Sequence, residues 1–210
     1  MTIQKSVISD LPKITSCHIN AFPNALSSKL GKRFCNKMLS WYIISDRGTM
    51  FHAEENGFIV GYVGGIVGKQ PGLPGAATSI TQFSFSQFIL SFLYRPWLIF
   101  HPENLNRYQF IFKNLKLKLG LIKKQKVQPA TLQFSSRWGL VVIGVNPIYQ
   151  GKGIGSELLK EFEQSAKNDG VKEVTLSVKK TNSQAISAYK KNGWKTNQED
   201  NVSLTMHKTL

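Results

Sequence analysis

One stretch constrains the fold more than any other. Residues 140–145 read Leu-Val-Val-Ile-Gly-Val, residues 150–155 read Gln-Gly-Lys-Gly-Ile-Gly, and Ile154, Leu158, Leu159, Phe162 and Ala166 then recur at helical spacing. A short, nearly continuous apolar run predicts a strand covered on both faces. Asn146-Pro147 ends its pairing, and Asp169-Gly170 stops the helix that follows. Strand, glycine loop and helix in that order bring exposed main-chain N–H groups and a positive helix end to one place, which makes an anion site. A dinucleotide fingerprint needs GxGxxG in the first βαβ unit, whereas these glycines alternate and lie in the C-terminal third. A nucleotide-hydrolase phosphate loop needs Gly-Lys followed by Ser or Thr, and Lys152 is followed by Gly153. A purely structural tight turn satisfies the same residues, so the loop alone does not decide.

The remaining elements follow from periodicity. Ile3, Ser6, Val7 and Ile8 predict a first strand, and Ser9-Asp10-Leu11-Pro12 predicts an N-cap and first-turn proline opening a helix over about 11–21. Leu26, Leu30, Phe34, Met38, Leu39 and Tyr42 form one apolar helical stripe, ended by Asp46-Arg47-Gly48. Residues 50–54 and 57–64 read as a hairpin whose turn, Glu55-Asn56-Gly57, tolerates positive φ. The Gly- and Pro-rich residues 68–75 leave the hairpin and open an insertion. Within it Phe85, Phe88, Ile89, Phe92 and Leu93, then Leu105, Tyr108, Phe112, Leu115 and Leu119, predict a helical pair. Val174, Leu176 and Val178 alternate as a strand, Ala185, Ala188 and Tyr189 lie on a short helix closed by Gly193, and Val202, Leu204 and Met206 alternate as a last strand. The expectation is an α/β chain of the α+β kind, a single domain over 1–210 with an inserted basic helical flap at about 68–136.

Charge narrows the partners. Lys and Arg number 27 against 12 Asp and Glu, a net +15, which favours anionic partners and argues against polycationic substrates. Between residues 67 and 137 ten basic side chains face one acid, Glu103. No nucleic-acid-binding motif accompanies the charge, so no nucleic-acid partner is expected. Cys17 and Cys35 lack CxxC spacing and a histidine cluster, and read as reduced, partly buried thiols with no metal. The N-terminal residues lack the apolar core and small-residue cleavage site of a secretory signal, which makes the expected location cytoplasmic. The apolar run 83–100 is interrupted by Ser84, Ser86, Gln87, Ser91, Arg95 and Pro96, short of the ~20 apolar residues of a membrane span. The lysines beyond it leave weak attachment to an anionic membrane surface open. A monomer and a homodimer are equally compatible with the sequence.

Downstream of the loop stands Leu176-Ser-Val-Lys-Lys-Thr-Asn182-Ser-Gln-Ala185-Ile-Ser-Ala-Tyr189-Lys-Lys-Asn-Gly193-Trp194. With Ile143-Gly144-Val145-Asn146-Pro147 and the loop 150–155, this set resembles the GNAT superfamily of N-acetyltransferases, closely over about 138–208 and in outline over the hairpin. The resemblance implies a mixed, mostly antiparallel sheet flanked by helices, whose fourth and fifth strands splay apart to admit the pantetheine arm of acetyl-CoA. It implies that main-chain groups of Ile143 and Val145 pair with that arm, and that Gln150, Gly151, Lys152, Gly153, Ile154 and Gly155 cradle the pyrophosphate. It further implies that Asn182 contacts the cofactor and that Tyr189 lies near its sulfur. The residues alone leave Asn182 as a helix cap and Tyr189 as a core aromatic beside Ala185.

Acyl transfer of this kind needs a donor for the oxyanion and a proton partner for the departing thiolate. The expected catalytic groups are the Val145 N–H and the Tyr189 phenol, whose ordinary pKa of about 10 lies near the ~8.5 of a thiol. No carboxylate occurs in Arg137-Trp-Gly-Leu-Val-Val-Ile-Gly-Val145, and Glu54, Glu55, His52 and His101 are base candidates by type only. The basic, aromatic insertion suits an acceptor amine that carries phosphate, such as a nucleotide-linked amino sugar. Acetylation of a peptide amine and a non-catalytic acetyl-CoA-binding protein are the alternatives.

Overall fold

The structure is a computed structural model that describes residues 1–68, 76–102, 116 and 137–210. Seven strands form one sheet in the order β1-β2-β3-β4-β5-β7-β6. They are β1 (Thr2–Lys5), β2 (Gly48–Glu55), β3 (Phe58–Gly68), β4 (Arg137–Val145), β5 (Glu173–Lys179), β6 (Lys195–Glu199) and β7 (Ser203–Thr209). Every pairing is antiparallel except that of β4 with β5. The β2–β3 hairpin turns at Asn56 and Gly57, both at positive φ (51° and 80°), as a two-residue turn matched to strand twist requires.

Six helices are described: α1 (Leu11–Ala21), α2 (Leu26–Leu30), α3 (Lys32–Ile44), α4 (Ala76–Tyr94), α5 (Ile154–Asn168) and α6 (Ser183–Lys191). One side of the sheet buries Ile154, Leu158, Leu159, Phe162 and Ala166 of α5 against Val63, Leu140, Val174 and Leu176. The other side packs Leu11, Ile14 and Cys17 of α1 and Leu39, Trp41 and Tyr42 of α3 against Met50 and Tyr62. A satellite cluster joins Leu30 of α2, Phe34 of α3 and Leu98 of the 3-10 turn after α4, with Phe88 and Phe92 of α4 beside them. No helix among the described residues is long and apolar enough to cross a membrane.

Four expectations need correction. The first strand ends at Lys5; Val7 and Ile8 are exposed, and a 3-10 turn, Ile8–Asp10, follows. The Asp10 carboxylate accepts the Val7 N–H at 2.8 Å and does not cap α1. The single stripe through Leu26 and Tyr42 is two helices, because Gly31 takes φ 100° and breaks the ladder between α2 and α3. Val202 is not in a strand: it sits in a turn whose Asp200 Oδ1 accepts the N–H groups of Val202 and Ser203, each at 2.7 Å. β6, Lys-Thr-Asn-Gln-Glu, lacks any apolar alternation because it is a fully exposed edge, where charged residues discourage further pairing. The second helix expected in the insertion, from Leu105 to Leu119, lies outside the described residues apart from Lys116.

Candidate active site

β4 and β5 pair only through Trp138–Val174, Gly139–Thr175 and Leu140–Leu176. Beyond Leu140 they part, and a cavity of about 750 Å³ occupies the gap. The direction of the β4 main chain there follows from its other edge. Asn146 N–H donates to Val60 O at 2.9 Å, and the ladder to β3 pairs Gly61 with Val145 and Val63 with Ile143. By antiparallel alternation Ile143 and Val145 therefore turn their N–H and C=O groups away from β3 and toward the gap. Gln150 Nε2 donates to Val145 O at 3.1 Å, so that carbonyl is occupied, while no partner for the Val145 N–H is found among the described residues.

At one end of the cavity α5 begins at Gly153, which lies in the left-handed region (φ 83°), and its first-turn amides receive no side-chain cap. Gly151 takes φ 78°, so the loop turns its main chain toward the helix end in a conformation closed to most side chains. Gly151, Gly153, Ile154 and Gly155 all line the cavity. Lys152 does not: its Nζ sits 4.9 Å from the centroid of the Tyr149 ring. Lys179 and Lys191 contribute cationic wall instead, and no carboxylate or imidazole lines the cavity among the described residues. Uncapped amides, a positive helix end and two ammonium groups with no opposing acid fit the pyrophosphate of a CoA ester.

On the β5 side Asn182 opens α6. Its Oδ1 accepts the Ala185 N–H at 3.2 Å, so it is the helix cap, and its amide nitrogen is left for a ligand. One turn on, Tyr189 is buried yet lines the cavity, with its ring 6.0 Å from that of Trp194. Its phenol makes no hydrogen bond among the described residues, and burial pushes its pKa up to about 12. Trp194 is held in turn: Nε1 donates to Glu163 Oε1 at 2.8 Å, and Lys208 Nζ donates to Glu163 Oε2 at 2.6 Å and to Asn192 O at 2.8 Å. This network fixes the end of α6 to α5 and β7.

Of the residues expected at the site, the cavity gathers Ile143, Val145, Gln150, Gly151, Gly153, Ile154, Gly155, Asn182 and Tyr189. It also takes Ala21 and Phe22 from the end of α1, which sequence reading missed because small and aromatic residues at a helix end carry no binding signature. Gly144 explains their approach: a Cβ there would lie 2.8 Å from Tyr62 Cε1 and 2.9 Å from Phe22 Cε2. Beneath them runs a buried chain in which His18 Nδ1 meets the Tyr62 hydroxyl and His18 Nε2 meets Ser27 Oγ at 2.9 Å. Burial drives His18 down to about 4, so this imidazole is neutral at neutral pH. The base candidates named by type lie elsewhere. His52 is enclosed between Gln4 Nε2 and Ser6 Oγ, each at 3.0 Å, and neither Glu54, Glu55 nor His101 lines the cavity. No described residue of the insertion lines it either.

A mixed sheet parted at its one parallel pair, opening on an uncapped helix end, is an arrangement that can receive a CoA ester. Residues 119–194 match the model of the Acetyltransferase (GNAT) family. The fold matches that of PaiA N-acetyltransferase from Thermoplasma acidophilum in complex with coenzyme A, at TM-score 0.57 and 16% identity over 100% of both chains. It also matches the ribosomal-protein-alanine N-acetyltransferase of Brucella melitensis, with TM-score 0.57, 16% identity and 100% of both chains covered. The ribosomal-protein-S18-alanine N-acetyltransferase of Escherichia coli aligns at TM-score 0.53 and 16% identity, over 99% of this chain and 92% of that one. No curated protein matches the chain by sequence. Over residues 119–194 the chain matches the GNAT acetyltransferase family, and over its whole length it has the fold of solved acetyltransferases.

Proposed function

We propose that the protein is an N-acetyltransferase that moves the acetyl group of acetyl-CoA to the primary amine of an anionic small molecule, a nucleotide-linked amino sugar being the first candidate. The observation that carries this reading is the cavity between β4 and β5, which ends on cationic and amide groups and whose wall holds no acid among the described residues. Acetyl-CoA supplies an activated thioester; the chain supplies position and electrostatics. Ile143 and Val145 turn main-chain groups to the pantetheine side of the gap, and the α5 amides with Gly151 and Gly153 receive the pyrophosphate. The Val145 N–H, already ordered by the ladder to β3, points at the place where carbonyl charge develops and needs no reorganisation.

Tyr189 faces the departing sulfur. At about 12 its phenol is well above the ~8.5 of a thiol, so complete proton transfer is uphill by roughly 5 kcal/mol. Its role is therefore a hydrogen bond to the developing thiolate, strengthened by the charge it meets. Among the described residues no carboxylate or imidazole lines the cavity to take the amine proton; the amine reacts from its neutral fraction and sheds its proton to water. An acceptor bearing phosphate is drawn by the net charge of +15 and meets no acid in the wall among the described residues.

Peptide N-termini are a second reading, supported by the two fold relatives that are described as ribosomal-protein-alanine N-acetyltransferases. Thiol release from acetyl-CoA, followed across sugar nucleotides, free amino sugars, polyamines and alanine-starting peptides, separates them. Sugar nucleotides are expected to react and polyamines not. Reaction with peptides alone would overturn the acceptor assignment, and no thiol release with any amine would overturn catalysis itself.

A further inference from the structure

The 3-10 turn Pro96–Phe100 that follows α4 spends its apolar residues on solvent. Leu98 alone turns inward, onto Leu30 and Phe34, while Trp97 and Phe100 are 64% and 75% exposed. Ile99 beside them and Leu93 and Tyr94 at the end of α4 are exposed as well. Scattered exposed apolar residues need no explanation, but five from one short segment that includes three large aromatics mark an interaction surface.

Charge tells what the surface meets. A cavity of about 290 Å³ adjoins it, lined by Gly31, Lys32, Arg33, Tyr94 and Arg95 among others, with no acid in its described wall. Arg95 Nη1 donates to Lys29 O at 2.9 Å, which pins one guanidinium over the α2–α3 junction, and Lys29, Lys32 and Arg33 are exposed around it. Aromatic and aliphatic side chains standing out from a turn and rimmed by four cations match the boundary between acyl chains and anionic headgroups. A second copy of the chain would bring the same cations against themselves. A protein partner needs pockets for these side chains, whereas a lipid surface accepts them as they project.

We propose that this face docks the enzyme on an anionic phospholipid surface, with Trp97, Phe100 and Leu93 entering the headgroup boundary and Lys32, Arg33 and Arg95 meeting lipid phosphates. No helix among the described residues is long and apolar enough to cross a membrane, and the enzyme under this proposal lies on the surface.

Flotation of the full chain with vesicles of phosphatidylcholine, alone or mixed with phosphatidylglycerol, tests the assignment. Binding is expected only with phosphatidylglycerol present, and should weaken as salt is raised. Trp41, Trp138 and Trp194 are buried, so a blue shift of tryptophan emission on the vesicles reports Trp97 and disappears in Trp97→Phe. The exposed pairs Trp97→Ser/Phe100→Ser and Lys32→Glu/Arg33→Glu should each lower partitioning on the order of tenfold or more, with the circular dichroism spectrum unchanged. No binding to phosphatidylglycerol vesicles, equal binding to neutral ones, or binding untouched by both pairs overturns the proposal. So does a dimer that forms through this face without lipid.

Discussion

Replacing Tyr189 with Phe removes one oxygen from a ring that otherwise keeps its packing against Trp194. The phenol has no hydrogen-bond partner among the described residues, so the substitution leaves no group unpaired, and stability should move by less than about 0.5 kcal/mol. Catalysis is a different matter. A hydrogen bond to a charged group is worth about 1.5–3 kcal/mol, and this one forms only as the sulfur gains charge, so kcat should fall by roughly 10- to 150-fold. The dissociation constant of CoA should hold within about twofold, because the ground state gains nothing from the phenol. Turnover is read as free thiol with a chromogenic thiol reagent. The protein adds little background, since burial lifts its own Cys17 to about 11 and holds Cys35 higher still. The pH profile supplies a second check. With the phenol near 12, wild-type kcat should show no Tyr189 limb below pH about 10. Unchanged kcat in Tyr189→Phe, or a loss recovered by saturating acetyl-CoA, would refute the assignment.

Two further expectations concern the frame of the site. His18 titrates at 6.5 when unfolded and at about 4 when folded, so the folded state disfavours its proton. Its contribution to stability is complete above pH 6.5 and is lost as the pH falls toward 4, by about 3 kcal/mol. Urea midpoints at pH 7 and pH 4 should therefore fall less in His18→Gln than in the wild type, and equal falls would contradict this. Glu163→Ala leaves the Trp194 N–H and the Lys208 ammonium facing a void, and should cost about 3 kcal/mol in thermal or urea unfolding. Glu163→Gln, which still accepts from Trp194, should cost less, and the reverse order would contradict the network.

Much of the fold is legible where one residue type answers one backbone demand. Asn56-Gly57 announces a turn with two positive φ values, and the α5 stripe from Ile154 to Ala166 is the set that packs on the sheet. The misreadings share a cause. Periodicity reports which face is apolar, and Leu26, Leu30 and Phe34 do lie in one cluster, yet it is blind to the φ of Gly31 that divides them into two helices. β6 pairs through its backbone at an open edge and needs no apolar side chain, so its sequence carries no strand pattern. β4 reads as a strand covered on both faces, but Val141 is exposed and Val142, Ile143 and Val145 are half-buried, because one flank of that strand opens on the cavity where β5 has turned away.

The two halves of the site differ in how sequence can encode them. The proposed pyrophosphate cradle is made of main chain, which approaches an anion most readily where side chains are absent, and Gly151 and Gly153 at positive φ mark it. The Val145 N–H is a product of register: it faces the gap because Asn146 binds Val60, and no property of valine announces it. The cavity wall also depends on Ala21 and Phe22, brought against Gly144 from the other end of the chain by the packing of α1. A wall of this kind selects by shape and by the charge it lacks. The absence of a carboxylate from β4 is legible residue by residue, but its meaning depends on the fold, which brings none in from another element among the described residues. Under the proposed function an amine that arrives there meets no carboxylate among the described residues, and it enters the reaction only in the form that has already lost its proton.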